Sequence, residues 1–143
     1  MVADPEVSRY LGGPFDRATA WRQMAVFAGH WLLRGYGLWA LERRADGAFL
    51  GRAGLWQPEG WPGLEVGWAL ARGAWGHGYA TEAARTVCEW AWEELAAERL
   101  ISVIAPENEP SIRVALRLGM RHDRDEDIHG RICRIYALDR PAA

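Results

Sequence analysis

The sequence predicts a single mixed α/β domain in which strands alternate with helices. Three observations carry this reading. Asp46-Gly47 joins two apolar runs, a strong hairpin signal. A strand-like run at residues 64–70 feeds a glycine-rich stretch and then a long helical pattern. A continuous apolar run at 100–105 follows that helix and reads as a strand buried beside the first sheet.

The length of 143 residues suits one domain, 1–143, with one core. Hydrophobic content of 50% and charged content of 25% are those of a globular protein. A net charge of −2 leaves no basic footprint for nucleic acid. No apolar run is long enough to cross a membrane, and no secretory leader is visible, so a cytoplasmic protein is expected. Cys88 and Cys133 are far apart without metal-ligand spacing, which predicts reduced core thiols.

Along the chain, residues 4–11 read as a short helix with an Asp4 cap and Pro5 at its first position. Gly12-Gly13-Pro14 ends it. A second helix is expected over 16–33, with Trp21, Met24, Ala25, Ala28, Trp31 and Leu32 as its apolar face. Gly35 and Gly37 close it. Strands follow at 38–43 and 48–56, then a loop at 58–63 and a third strand at 64–70. After the glycine stretch a helix is expected over 80–98, with Ala80, Ala84, Val87, Ala91 and Leu95 on one stripe. Residues 106–110 read as a turn and 111–118 as a short helix ended by Gly119. A last pair of strands is expected at 120–123 and 131–138, with the acidic run 123–127 as a solvated loop between them. His122 and His129 near that run lack any ligand spacing, so no metal is expected. The acidic run could still attract a cationic amine.

The stretch 71–83 organises the rest. A strand, a glycine-rich turn and a helix start form an anion site, because free N–H groups and the helix dipole favour negative charge there. Gly76 and Gly78 let backbone approach a ligand where a Cβ would intrude. No Lys follows the glycines, which excludes a Walker loop, and their order is not that of a dinucleotide fingerprint. A phosphate-bearing cofactor is therefore expected.

Trp75-Gly76-His77-Gly78-Tyr79-Ala80-Thr81-Glu82-Ala83 resembles the acetyl-CoA loop of the GNAT acetyltransferases, within them the RimJ/RimL-like branch of ribosomal-protein N-terminal acetylases. Gly73 stands where that loop usually has Arg or Gln, with Arg72 one residue away. Asn108-Glu109-Pro110-Ser111 and Arg117-Leu118-Gly119-Met120 are similar to the start and end of the family's fourth helix, with Met120 in place of an aromatic. The element order also matches, and the resemblance covers about 2–138.

The resemblance implies the GNAT fold, with a mixed, mostly antiparallel sheet splayed at the cofactor site and helices on both faces. It implies acetyl-CoA as co-substrate, no metal, and acetyl transfer to a primary amine by direct attack in a ternary complex. The acceptor stays open between a protein N-terminus and a small-molecule amine. The alternative is a non-catalytic acyl-CoA-binding or interaction module. Arg72, Gly73, Trp75, Gly76, His77, Gly78, Tyr79 and Ala80 are the expected pyrophosphate side. His77 is read as a surface residue and Tyr79 as packed beneath the loop. Backbone amides of Val66, Gly67, Trp68 and Ala69 are expected at the thioester, with Gly67 as the site of a bulge.

Glu65 is the candidate base. Val66, Trp68 and Leu70 share one face of their strand, so Glu65 shares the other with small Gly67 and Ala69. A solvated carboxylate is the competing reading. Asn108 is expected as a helix cap as well as a cofactor contact. Some relatives place a Tyr proton donor where this chain has Ala115, which moves that role to Ser111, with Tyr79 and Tyr136 as weaker options. Trp31, Trp39, Trp56 and Trp61 are candidates for the acceptor cleft or for core packing. Family members carry a strand ahead of the segment matched by Asp4-Pro5-Glu6, and this sequence does not. The 38–43 strand is therefore expected at a sheet edge, bare or paired in a homodimer.

Overall fold

The computed structural model describes residues 1–142. The order is α1 (Pro5–Ser8), α2 (Arg17–Arg34), β1 (Leu38–Glu42), β2 (Phe49–Trp56), β3 (Glu65–Leu70), α3 (Tyr79–Glu94), β4 (Arg99–Ile104), α4 (Glu109–Arg117), β5 (Arg121–Ile128) and β6 (Arg131–Asp139), with a short 3₁₀ turn, Arg72–Ala74, before α3. The strands form one sheet in the order β1-β2-β3-β4-β6-β5. All pairs are antiparallel except β3 with β4. β1 lies at one edge, as expected.

Local hydrogen bonds close both ends of α2. Asp16 accepts from Thr19 N–H at 2.7 Å, and Gly35, at φ 76°, donates to Trp31 O. Asp4 caps α1 by accepting from Glu6 N–H. On one sheet face, α3 and α4 cover a core built on Leu55, Val66, Leu100 and Met120, into which α3 inserts Ala84, Val87 and Ala91. This is the stripe read from the sequence. Trp39 joins that core and meets Trp31 and Trp90 edge to face at 5.2 and 5.1 Å.

Four expectations need correction. Most of the apolar face expected for α2 points outward: Trp21, Met24 and Leu32 are 69%, 68% and 86% exposed, and Ala25 and Ala28 are exposed as well, while Trp31 packs on Trp39. The helix instead turns Gln23, Phe27 and His30 inward. α2 has apolar residues on more than one side, and His30 satisfies both ring nitrogens by docking, so periodicity alone picks the wrong face. The second correction is to α3, which ends at Glu94. Ala96 takes φ 49° and Ala97 N–H bonds Ala91 O, a left-handed stop without its usual glycine.

Third, the acidic run is strand and not loop. β5 is exposed along most of its length, so it shows no apolar alternation, but it pairs with β6 from Arg121 to Ile128, with one shift of register at Asp123. Its charges are matched locally: Arg99 bridges Asp123 and Asp139, and Arg124 bridges Asp123 and Glu126. A charged edge strand resists pairing with other chains. His129 and Gly130, both at positive φ, make the tight turn into β6. Fourth, α4 starts at Glu109, because Asn108 is its cap and Pro110 lies in its first turn.

His30 ties three segments together. Gln57 N–H donates to its Nε2 at 2.9 Å, so the other nitrogen, Nδ1, carries the proton and donates to Tyr36 O at 2.8 Å. Its ring stacks on Trp56 at 4.6 Å. Replacing His30 with Leu keeps the bulk and strands both backbone groups, so we expect a loss of about 1–3 kcal/mol. Urea unfolding checks this, and an unchanged midpoint would show that the two bonds contribute nothing.

Candidate active site

The cleft begins where β3 and β4 part. They share one ladder pair, Glu65 with Ile101, and Ile101 N–H donates to Leu64 O at 2.9 Å. Beyond it, side chains replace the ladder. Glu65 Oε1 accepts Val103 N–H at 3.1 Å, and the buried Ser102 hydroxyl donates to Val66 O at 2.7 Å. The strands are thus held apart with their nearest polar groups satisfied.

Leu55 N–H donates to Gly37 O, and Ala71 N–H donates to Leu50 O. With the β2–β3 register, these bonds turn the main-chain groups of Glu65, Gly67 and Ala69 toward β2. Those of Val66, Trp68 and Leu70 face β4. Val66 lies beside the one ladder pair, and Trp75 Nε1–H occupies Leu70 O at 3.0 Å. Leu70 does not line the cleft and Trp68 does, so Trp68 N–H is the amide presented to the gap. The expected bulge at Gly67 is absent: β2 and β3 pair without a shift of register through it. Strand divergence frees the amide instead. Val66, Gly67, Trp68 and Ala69 all line the cleft, but Gly67 and Ala69 do so with their outward faces and not with free amides. A Cβ built on Gly67 would meet only Glu65 Oε1, at 3.9 Å, so this glycine leaves the cleft floor open.

The cleft, about 400 Å³, passes from this gap to the sheet face beneath α1 and α2. Glu65 stands inside it. Trp61 Nε1–H donates to its Oε2 at 2.7 Å. Burial pushes the carboxyl up to about 7, against the two hydrogen bonds that favour its charged form. Trp56 lies opposite Glu65 on β2 and also lines the cleft. Trp31 and Trp39 do not, because they pack into the edge of the sheet.

At the far side of the gap, Asn108 Oδ1 accepts Ser111 N–H at 3.3 Å as it caps α4. Both residues line the cleft, which brings Ser111 to the same space as Glu65 and Trp68. Tyr79 and Tyr136 are elsewhere. Tyr79 packs under the glycine loop on Leu50, Leu70 and Ala74, as expected, and Tyr136 is in the core under α3. Among the cleft residues not foreseen, Tyr10 donates its hydroxyl to Glu107 O at 3.1 Å, Arg52 lies over Phe27 at 4.6 Å, and buried Cys133 comes from β6. A cation inside an otherwise apolar strand, as in Leu50-Gly51-Arg52-Ala53-Gly54, is the signal that could have found Arg52.

The glycine loop leaves the cleft at Leu70. Trp75 pins it through the indole bond to Leu70 O. Gly76 and Gly78 take φ 79° and 82°, and nothing lies within 4 Å of where their side chains would be. Gly78 caps α3 without a side-chain hydrogen bond, so the first amides of α3 are left for a ligand. Gly73 and His77 are exposed, and Ala80 packs with Tyr79. Arg72 pairs with Asp4, joining the loop to the α1 cap. The local chemistry fits a pyrophosphate: open backbone, free amides and a helix dipole.

The family model described as the acetyltransferase (GNAT) domain matches residues 1–121. The Bacillus subtilis protein YkkB is 37% identical over 131 residues, 87% of this chain and 73% of its own length. The crystal structure of an acetyltransferase from Agrobacterium tumefaciens superposes with a TM-score of 0.86 at 30% identity, covering 97% of this chain and 81% of that one. A ribosomal-protein-S5-alanine acetyltransferase from Vibrio fischeri shares the fold, with a TM-score of 0.73 at 14% identity over 96% and 85% of the two chains. With its splayed sheet and glycine loop in the same order, this chain belongs to the GNAT acetyltransferase family.

Proposed function

We propose that the cleft transfers an acetyl group from acetyl-CoA to a primary amine by direct attack. The observation that carries this reading is the placement of an enclosed carboxyl, Glu65, in the same cleft as the unpaired edge of β3 and Ser111. Acetyl-CoA, when bound, supplies an activated acyl carbon and a thiol leaving group. The backbone amides of α3's first turn would hold its phosphates, and the gap between β3 and β4 would take its pantetheine arm.

The acceptor enters as an ammonium, which has no lone pair to attack with. Glu65 takes its proton, directly or through one water. A carboxylate whose conjugate acid lies near 7 is well matched to that task near neutral pH. The amine nitrogen then forms a bond to the acyl carbon as the carbon–sulfur bond breaks. Trp68 N–H donates to the acyl oxygen as it gains negative charge. Ser111 Oγ–H donates to the departing sulfur and relays to it the proton that the acylated nitrogen gives up. Holding both substrates in one cleft supplies the alignment. Cys88 and Cys133, both buried and free, suit a reducing compartment.

Three outcomes are expected. Gly78→Asp adds bulk and negative charge where the phosphates pass, so acetyl-CoA binding measured by calorimetry should collapse while the fold survives. Unchanged affinity in the folded variant would remove the loop from the site.

Glu65 must be ionised to accept a proton, so kcat/KM should rise as pH rises through about 7. Glu65→Gln should lose roughly 10²–10⁴-fold and flatten that limb. The same group makes a stability signature. Its folded-state pKa lies above its unfolded one, so its contribution to stability is fully present below about 4.5 and is lost as pH rises through about 7. The Tm of Glu65→Gln should therefore gain on wild type toward alkaline pH. Parallel Tm curves would mean that the carboxyl is not buried in solution.

Ser111→Ala should lower kcat by about 10²-fold, the low end for a positioned proton donor, with little change in acetyl-CoA affinity. Full turnover with reduced Tm would make Ser111 structural, a helix-start contact only.

A further inference from the structure

Two arginines line the cleft. Arg131 is exposed and pairs with Glu107. Arg52 is half-buried. Among the described residues it makes no ion pair, and its one close partner is the face of Phe27. Burial alone acts on its guanidinium, and lowers its pKa without an acid to offset the shift. A charge withdrawn from water without a partner is costly. Gln23 of α2, which also lines the cleft, is a neutral amide. The planar fork of Arg52 is therefore left open for an anion, and it matches a carboxylate in two parallel hydrogen bonds.

Its place in the sheet says which ligand would use it. Arg52 lies opposite Ala69, and Trp56 lies opposite Glu65. Between the two pairs are Gly54 and Gly67. At Gly54 the backbone of Gly37 and Leu38 fills the place of a Cβ, and at Gly67 that place is open. An anion site and a base thus stand along one face of the β2–β3 pair, with no side chain of that pair between them. The glycine loop continues from the end of β3 toward α3, on the opposite sheet face from α2. The phosphates of the acyl donor are provided for there and do not need Arg52.

Building on the acetyl-transfer reading above, we infer that the acceptor is a small amine that also carries a carboxylate. Arg52 holds the carboxylate and Glu65 receives the amine. The cation also disfavours acceptors that carry only positive charge.

The test compares wild type, Arg52→Met and Arg52→Lys. Acceptors are glycine, β-alanine and γ-aminobutyrate, the carboxamide of each, and a peptide with an amidated C-terminus. Wild type should prefer at least one amino acid over its carboxamide by roughly 10–100-fold in kcat/KM, as expected for a charge-assisted pair. The difference should lie mainly in KM. Arg52→Met should bring the ratio near one. Arg52→Lys keeps the charge without the fork, and should retain a weaker preference.

A second readout needs no turnover. The N-acetyl amino acids and their amides are titrated against the protein, with the fluorescence of Trp56 and Trp61 in the cleft as reporter. The carboxylates should bind wild type more tightly than the amides, and Arg52→Met should erase the difference. If no acceptor is acetylated but this difference holds, the acetyl-transfer reading fails and the carboxylate site stands. Equal binding of carboxylates and amides to wild type would overturn the inference. So would a preference that survives in folded Arg52→Met, or turnover of the amidated peptide above every amino acid. Should Arg52→Met not fold, an undiminished preference in Arg52→Lys would overturn it too.

Discussion

The parting of β3 and β4 is the constraint on which the rest depends. Two neighbouring strands inside a sheet would normally zip together, and leaving them apart exposes main-chain donors and acceptors to a cleft. Here Glu65 and Ser102 take over as struts, one from each strand. The struts satisfy Val103 N–H and Val66 O without closing the gap. This arrangement also sets the chemistry. The enclosure that lets Glu65 reach across to β4 is what raises its proton affinity, so one side chain holds the cleft open and is poised to accept a proton. The same divergence leaves Trp68 N–H unpaired by strand bonds.

The other parts of the site are arranged around that gap by backbone more than by side chains. α3 starts from a glycine that cannot cap it, so its amides remain unused. α4 starts from Asn108, which can cap, and the cap turns Ser111 to the cleft. The two helix starts are treated in opposite ways, one left open for a charged ligand and one closed to fix a hydroxyl. On the third side, α2 is anchored through His30 and Trp56, which places Phe27 beneath Arg52. Aromatic packing, and not an ion pair, therefore orients the cleft cation. A fold held by such features can persist across relatives with little side-chain identity, as the shared fold at 14% identity with the Vibrio fischeri enzyme illustrates.

Much of this was legible in advance. Asp4 and Asn108 were readable as caps because capping depends on one short side chain and the next three residues. Asp46-Gly47 gave the hairpin, and Gly76 and Gly78 marked the open loop. The alternation of Glu65, Gly67 and Ala69 placed the candidate base on the cleft face of its strand. The misreadings share one cause. The outward face of α2, the strand nature of 123–127 and the stop at Ala96 each depend on what lies across from the residue and not beside it. An exposed edge strand has no apolar rhythm to read, and a left-handed alanine is tolerated only because Ala97 N–H finds Ala91 O. The bulge expected at Gly67 belongs with these, since a strand glycine permits a bulge without requiring one.

The local signals of the chain thus determined the element order, the caps at Asp4 and Asn108, the glycine loop and the family to which they belong. These rest on interactions within a few residues, where sequence spacing and geometry are nearly the same thing. Tertiary structure alone decided that Glu65 is enclosed by Trp61 and Val103, that Trp68 offers the amide, and that Arg52 enters the cleft without a partner. Burial and pairing are properties of segments brought together from far along the chain. A carboxyl or guanidinium acquires its chemistry from those neighbours, which no spacing within its own strand records.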